Sequence, residues 1–195
     1  MTDDRGVLPL ARRLRFARGM ETRVTPHFAV PQPSDAGCQA FLPGAGLTTR
    51  TPAVKPFRQS FTLRSVDHVQ VVDITKQVRD IVAVSEIQGG LVLVNALHTT
   101  CALFVNEFQG ALVEDFKTIL RQLVADHGGY KHDDSRYSDC ERGNGSAHLR
   151  AALLARSVLV GISGGDLSLG RFQSILFAEF DGPRSRVVDV QLLGV

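Results

Sequence analysis

The chain is expected to fold as an α+β protein: a mostly antiparallel, β-sandwich-like core with about three helices packed against one side. Three observations lead to that class. Residues 57–195 hold about seven short apolar or alternating segments of strand length. Three other segments show helical spacing, and no regular strand–helix–strand alternation links them, as a parallel sheet would require. The composition, 44% hydrophobic and 22% charged, is that of a chain with enough apolar mass for one core.

Residues 1–56 differ from the remainder. They carry seven of the eight prolines and no sustained strand period, so they are expected to form a mobile extension outside the folded part. An Arg-rich stretch, Leu8 to Arg18, has room for a turn or two of amphipathic helix, and Met20 offers an alternative start. No 7–15-residue apolar core of a secretory signal occurs, and the acidic Asp3, Asp4 and Glu21 fit an organellar transit peptide poorly. Localisation in the cytoplasm is the expectation. No run approaches the roughly 18 apolar residues of a membrane span. The formal charge of +2 conceals an uneven distribution. Residues 1–55 hold eight Lys/Arg against four Asp/Glu, and the remaining 140 hold fourteen against sixteen. A slightly acidic folded part argues against nucleic-acid binding. Three cysteines with no C-x-x-C argue against both a disulfide framework and a zinc finger.

From Phe57 the elements follow in order. Phe57, Gln59, Phe61 and Leu63 alternate as in a half-exposed strand, and Val69 to Val72 is a second. Asp73-Ile74-Thr75 offers a helix start, Val78, Ile81, Val82 and Ser85 sit at helical spacing, and Gly89-Gly90 is read as the stop. Leu91–Val94 and Cys101–Val105 are unbroken apolar runs, read as strands buried on both faces. Between and after them lie His98-Thr99-Thr100 and Asn106-Glu107, polar groups whose burial is costly without partners. Leu112, Phe116, Ile119, Leu120 and Leu123 mark the strongest helix, ended by His127-Gly128-Gly129, with Asp115 near its start. Tyr130 to Gly143 is a polar loop containing His132. Asn144 or Ser146 caps a short helix whose apolar face is Leu149, Leu153 and Leu154. Strands follow at Ser157–Ile162, Phe172–Phe180 and Ser185–Leu193, the last two joined by a hairpin-type turn at Asp181-Gly182-Pro183.

The chemistry-bearing residues are dispersed. His98, His132 and His148 occupy separate polar contexts, and His148 in the first turn of a helix is disfavoured from protonation. Neutral imidazoles serve either as metal ligands or as general bases. Three of them with one open position would suit zinc. Glu179 on an apolar strand needs a cation, with Arg184 or Arg186 the candidates, and a structural ion pair is as good a reading as an anion or metal pocket. Gly143-Asn144-Gly145-Ser146 entering a helix is a weak phosphate-binding signal. Cys101 reads as a small buried hydrophobe and Cys140, among carboxylates, as a poor nucleophile.

Taken in order, His98-Thr-Thr-Cys-Ala-Leu, Asn106-Glu107, Asp115, His132-Asp133, Asn144-Gly-Ser-Ala-His148-Leu, Leu169-Gly-Arg-Phe-Gln173, Ala-Glu179 and Asp-Gly-Pro-Arg184 resemble the YjbQ-type family, often labelled secondary thiamine-phosphate synthase. The resemblance spans about Phe57 to Val195. Residues 1–56 have no counterpart, and Ala155 stands where a glycine is common. It implies a compact α+β fold, a homotrimer, and a weak or accessory coupling of a pyrimidine diphosphate to a thiazole phosphate. On this reading His98, Glu107, His148 and Glu179 are catalytic. His98, His132 and His148 hold a divalent metal, zinc being one candidate, or share proton transfer. Asn144, Ser146, Gln173 and Arg184 hold a phosphorylated substrate, and Asn106 and Asp115 orient the others. The competing expectation is a non-catalytic oligomer that binds a metabolite or a protein.

Overall fold

The computed structural model describes residues 53–195. The readings placed on residues 1–52, including the Arg-rich turn and the alternative start at Met20, lie outside the described residues; Lys55 and Pro56, assigned to the extension, instead begin the first strand, where they pair with Gly194 and Leu193. Among the described residues, eight strands and three α-helices make up the fold: β1 (Lys55–Arg64), β2 (Gln70–Asp73), α1 (Thr75–Ser85), β3 (Gly89–Ala96), β4 (Cys101–Asn106), α2 (Gly110–Leu123), α3 (Gly145–Leu153), β5 (Ser157–Ser163), β6 (Asp166–Leu167), β7 (Ser174–Glu179) and β8 (Ser185–Gly194). A single 3-10 turn, Lys131–Asp133, interrupts the polar loop. The α+β, antiparallel class holds, with the two-residue β6 as the added strand. None of the three α-helices is long and apolar enough to cross a membrane.

The strands form two antiparallel sheets, a large one in the order β1-β8-β3-β5-β6 and a small one in the order β2-β7-β4. Between them lies the main core, where Val92, Val94, Val188, Val190 and Leu192 of the large sheet meet Leu103, Ile175 and Phe177 of the small one and Val78 and Val82 of α1. The small sheet buries its other face as well. Ala102, Leu176 and Ala178 pack against Leu120 of α2 and Ala147 and Ala151 of α3. The outer face of the large sheet carries no helix among the described residues, and Leu91, Leu159 and Leu193 stand 47%, 63% and 55% exposed there.

This layout corrects several expectations. β4 and β7 are buried on both faces, but β3 is not, because its odd-numbered side chains face outward. The β3–β4 join and the β7–β8 join, the second of which reads as a hairpin, both carry the chain from one sheet to the other. Asp181-Gly182-Pro183 is therefore a crossing rather than a hairpin. Helix α1 ends one turn earlier than expected, on Glu86 in the left-handed conformation (φ 60°), leaving Gly89-Gly90 to start β3. Gly90 is needed for close packing instead, since a Cβ there would collide with the backbone of Leu193 and Gly194 in β8. Helix α2 stops at Val124, well before His127. It leaves Leu112, Ile119 and Leu123 exposed, so its expected apolar face is only partly covered. Helix α3 is turned over: it buries Ala147, Arg150 and Ala151 and exposes Leu149 and Leu153. Small side chains let the helix axis approach the sheet closely, which leucines on that face would prevent.

Candidate functional site

The two crossings and the start of α3 meet at one end of the small sheet. Glu179, wholly buried at the end of β7, receives Arg186 in a two-pronged pair, Nε to Oε2 at 2.6 Å and Nη2 to Oε1 at 2.7 Å. Its Oε1 also accepts the backbone amides of Phe180 at 3.1 Å and Asp181 at 2.9 Å. Arg186 donates further to Thr100 Oγ1 at 2.8 Å. Glu179 Oε1 accepts three of these bonds and Oε2 one, and through Arg186 the group ties the end of β7 to β8 and to the 98–100 crossing. Of the two cations considered for Glu179, Arg186 is its partner. Beside them, burial first and the Glu179 charge second push the Cys101 thiol up to about 12, which leaves it inert at neutral pH.

His98 sits half-buried on the β3–β4 crossing, its Nε2 3.4 Å from the amide of Val187. Burial and the neighbouring Arg186 charge hold it below the ordinary imidazole value, against an opposing pull from Glu179. His148, in the first turn of α3, is likewise lowered by burial and by His132, against opposing pulls from Asp181 and Asp133. The rings of His132 and His148 meet edge to face with centroids 4.8 Å apart. His132 Nε2 is buried without a hydrogen-bond partner.

A polar network holds α3, which carries His148, in place. Asp133 Oδ1 accepts the amide of Gly145 at 2.7 Å, and so caps α3 across the loop. Asn144 turns its side chain away from the helix and donates Nδ2 to Asp181 Oδ2 at 3.1 Å. Arg184 reaches the same aspartate, Nη2 to Oδ2 at 3.4 Å and Nε to its carbonyl at 3.1 Å. Arg150, 1% exposed, donates Nη2 to the Val124 carbonyl and to Asp126 Oδ1, each at 2.6 Å, and so ties α3 to the end of α2. The start of α3 is thus already occupied by a carboxylate of this chain, and Asn144 and Ser146 are buried beneath it.

His98 and His148 line one cavity of about 730 Å³, with Asn95, Thr99, Ala152 and Arg156 among its walls. Two of its polar groups were not anticipated. Asn95 Oδ1 is buried without a partner, and Arg156 is the one arginine or lysine in the lining. Nothing local in the sequence marks either, because β3–β5 pairing is what brings Asn95 opposite Ser157, the neighbour of Arg156. Asp133 and Asp181 had a visible signal, the histidine-aspartate and aspartate-glycine-proline motifs.

The remaining predicted residues lie elsewhere. Asn106 and Glu107 are exposed at the far end of β4, where Asn106 pairs with Ser174. Gln173 is at that same far end, and Asp115 is exposed on α2. Among the described residues, no group of three or more His, Cys, Asp or Glu is placed to hold a metal. His132 and His148 touch, and His98 and His148 share a cavity, but one chain does not bring three ligands to one point.

Two facing antiparallel sheets, two helices on the outer face of the smaller one, and a histidine-lined cavity at the crossings define an α+β protein with a cavity of small-molecule size. The chain belongs to the family described as UPF0047 protein YjbQ-like, whose model matches residues 59–195. It is 46% identical over 134 residues to a UPF0047 protein of Archaeoglobus fulgidus, a match covering 68% of this chain and 98% of that one. A UPF0047 protein of Methanothermobacter thermautotrophicus is 36% identical over 138 residues, covering 71% and 92%. Among solved structures, a YbjQ-like protein of unknown function from Sulfolobus solfataricus superposes with a TM-score of 0.68 at 31% identity, covering 73% of this chain and all of that one. A hypothetical protein of Aeropyrum pernix gives 0.65 at 36% identity, covering 71% and 99%.

Proposed function

We propose that this chain is an enzyme of small phosphorylated metabolites, working in the cytoplasm, in which His98 and His148 act as neutral acid–base groups. The observation that carries the reading is the single cavity walled by both imidazoles and by Arg156. A neutral imidazole near its working pH can take or give a proton, a contribution typically worth about 10²–10⁴ in rate. The guanidinium supplies a planar, permanently charged partner for a phosphoryl group. Arg184 is less suited to hold phosphate because Asp181 already pairs with it.

The coupling of a pyrimidine diphosphate to a thiazole phosphate, implied by the resemblance to secondary thiamine-phosphate synthase, fits this chemistry. Such a reaction must stabilise departing pyrophosphate and a developing pyrimidine cation. Arg156 serves the first need. Imidazoles held neutral do not oppose the second, since they add no positive charge beside the forming cation. A divalent metal such as zinc would have to draw on ligands from more than one copy, so no step is assigned to it. Metal analysis of the purified protein and of a His148→Ala variant tests that part separately.

A homotrimer is the proposed assembly, formed through the exposed outer face of the large sheet. That same face favours a second reading, a non-catalytic oligomer binding a metabolite or a protein. Turnover decides between them. Purified protein supplied with both phosphorylated precursors should form thiamine phosphate and should support growth of a thiamine-auxotrophic strain. His148→Ala should lower the rate by at least about 10²-fold. A variant as active as its parent removes the catalytic reading.

A further inference from the structure

At the end of β7 opposite the histidines, a second hollow of about 460 Å³ lies between the start of α1 and the segment leading into β7. Three cationic side chains from two separate segments line it: Lys76 and Arg79 of α1, and Arg171. Each has only a surface partner. Lys76 pairs with Asp80 at 2.6 Å, both well exposed, Arg79 pairs with Asp166 at 2.7 Å, and Arg171 stacks on the Phe172 ring at 5.3 Å. Exposed pairs of this kind contribute little and exchange readily for a better anion.

The uncharged groups of the lining point the same way. Gln173 accepts the Gly170 amide through Oε1 at 2.7 Å, which leaves its NH₂ as the available end. Thr75 Oγ1 accepts the Ile175 amide at 2.8 Å, which leaves its hydroxyl hydrogen to donate. Asp73 is the one acidic side chain in the lining, and its Oδ1 is used by the Thr75 amide at 2.8 Å. The first amide of the helix is therefore already taken, and the hollow's character comes from side chains. It offers donors and positive charge, with no histidine, cysteine or tyrosine to perform chemistry.

We propose that this hollow is a binding site for an oxyanion, the phosphoryl group of a small metabolite, free or esterified. Arg171 and Lys76 carry the charge, and Gln173 and Thr75 orient the oxygens. Five strand steps separate it from Glu179, roughly 16 Å at the usual rise, so it is distinct from the histidine cavity. It does not depend on that cavity being catalytic.

The test follows backbone amide signals of the full chain during titration with inorganic phosphate and, separately, with glycerol phosphate as a monoester. Saturable shifts are expected at Lys76, Gly170 and Arg171. The double variant Lys76→Gln/Arg171→Gln should bind at least about tenfold more weakly. Its amides around Leu97 and Ala152 should keep the parent's response, which separates this site from the other cavity. A monoester that binds as well as phosphate assigns the site to esterified ligands, and binding of phosphate alone assigns it to the free anion. Shifts that fail to saturate, that chloride reproduces, or that persist unchanged in the double variant overturn the proposal.

Discussion

His148 and Glu179 lie close to the same crossings but contribute to stability in different ways. The folded protein holds His148 below its ordinary value of 6.5, so the unfolded chain binds the proton more readily. Stability tied to this group is therefore complete above about 6.5 and declines as the pH falls below it. His98 acts in the same direction. The lowered carboxyls of Asp126 and Asp189 lose their contributions only in a more acidic window, beneath their ordinary 3.8. The urea midpoint should accordingly drop between pH 7.5 and pH 5.5, and His148→Gln should shrink that drop; an unchanged drop in the variant would show that the proton is taken up elsewhere. Glu179, by contrast, is an anion whose four hydrogen bonds offset its burial. Glu179→Gln leaves Arg186 buried without its counter-charge and should cost about 3–5 kcal/mol in urea unfolding. Replacing both members, as Glu179→Leu with Arg186→Met, should cost less than that single change.

At the scale of elements, what the sequence made legible was spacing, and what it concealed was direction. The period of α1 placed Val78, Ile81 and Val82 in the core correctly, because that helix has one apolar face and a single core to meet. Helix α3 offers two usable faces, leucines on one and alanines on the other. Hydrophobicity ranks the leucines first, yet the alanines are buried, since close approach to Ala102 and Ala178 decides the contact. The same limit applies to the site. His98 and His148 could be named as candidates, but their shared cavity depends on chain crossings between sheets that look like hairpins in one dimension. Arg156 had no local mark at all. The inversion of α3 is testable. Ala151→Leu should overpack the contact with the small sheet and destabilise by about 1–3 kcal/mol. Leu153→Gln, on the exposed face, should stay within about 0.5 kcal/mol of the parent in the same thermal melts. Equal costs for the two would mean that the helix is rotated from the orientation described.

For the whole molecule the balance turns on the outer face of the large sheet. Leu91, Leu93, Leu159 and Leu193 form an apolar hollow of about 520 Å³ on a surface with no helix over it among the described residues. Water contact along such a patch is unfavourable by about 25 cal/mol for each Å² of apolar area, a cost that a second copy laid against it removes. Polar groups punctuate the same face. Asp189, 2% exposed, takes Arg58 Nε at 2.8 Å and Gln191 Nε2 at 2.6 Å, and Asn95, its partner in register, keeps a buried oxygen without a donor. Such groups constrain how two surfaces can dock, because a neighbour must leave their hydrogen bonds intact or supply the missing one. If the face is the proposed trimer interface, sedimentation of the full chain should give three copies. Leu159→Glu with Leu193→Glu should give one copy, with the far-ultraviolet circular dichroism of the parent retained. The cavity near Asn95 should then also change, so turnover should fall in the dissociated variant even though neither substitution touches a histidine. A parent that sediments as a single copy, or a double variant that assembles like the parent, would place the subunit contacts elsewhere and leave the leucines of this face without an assembly role.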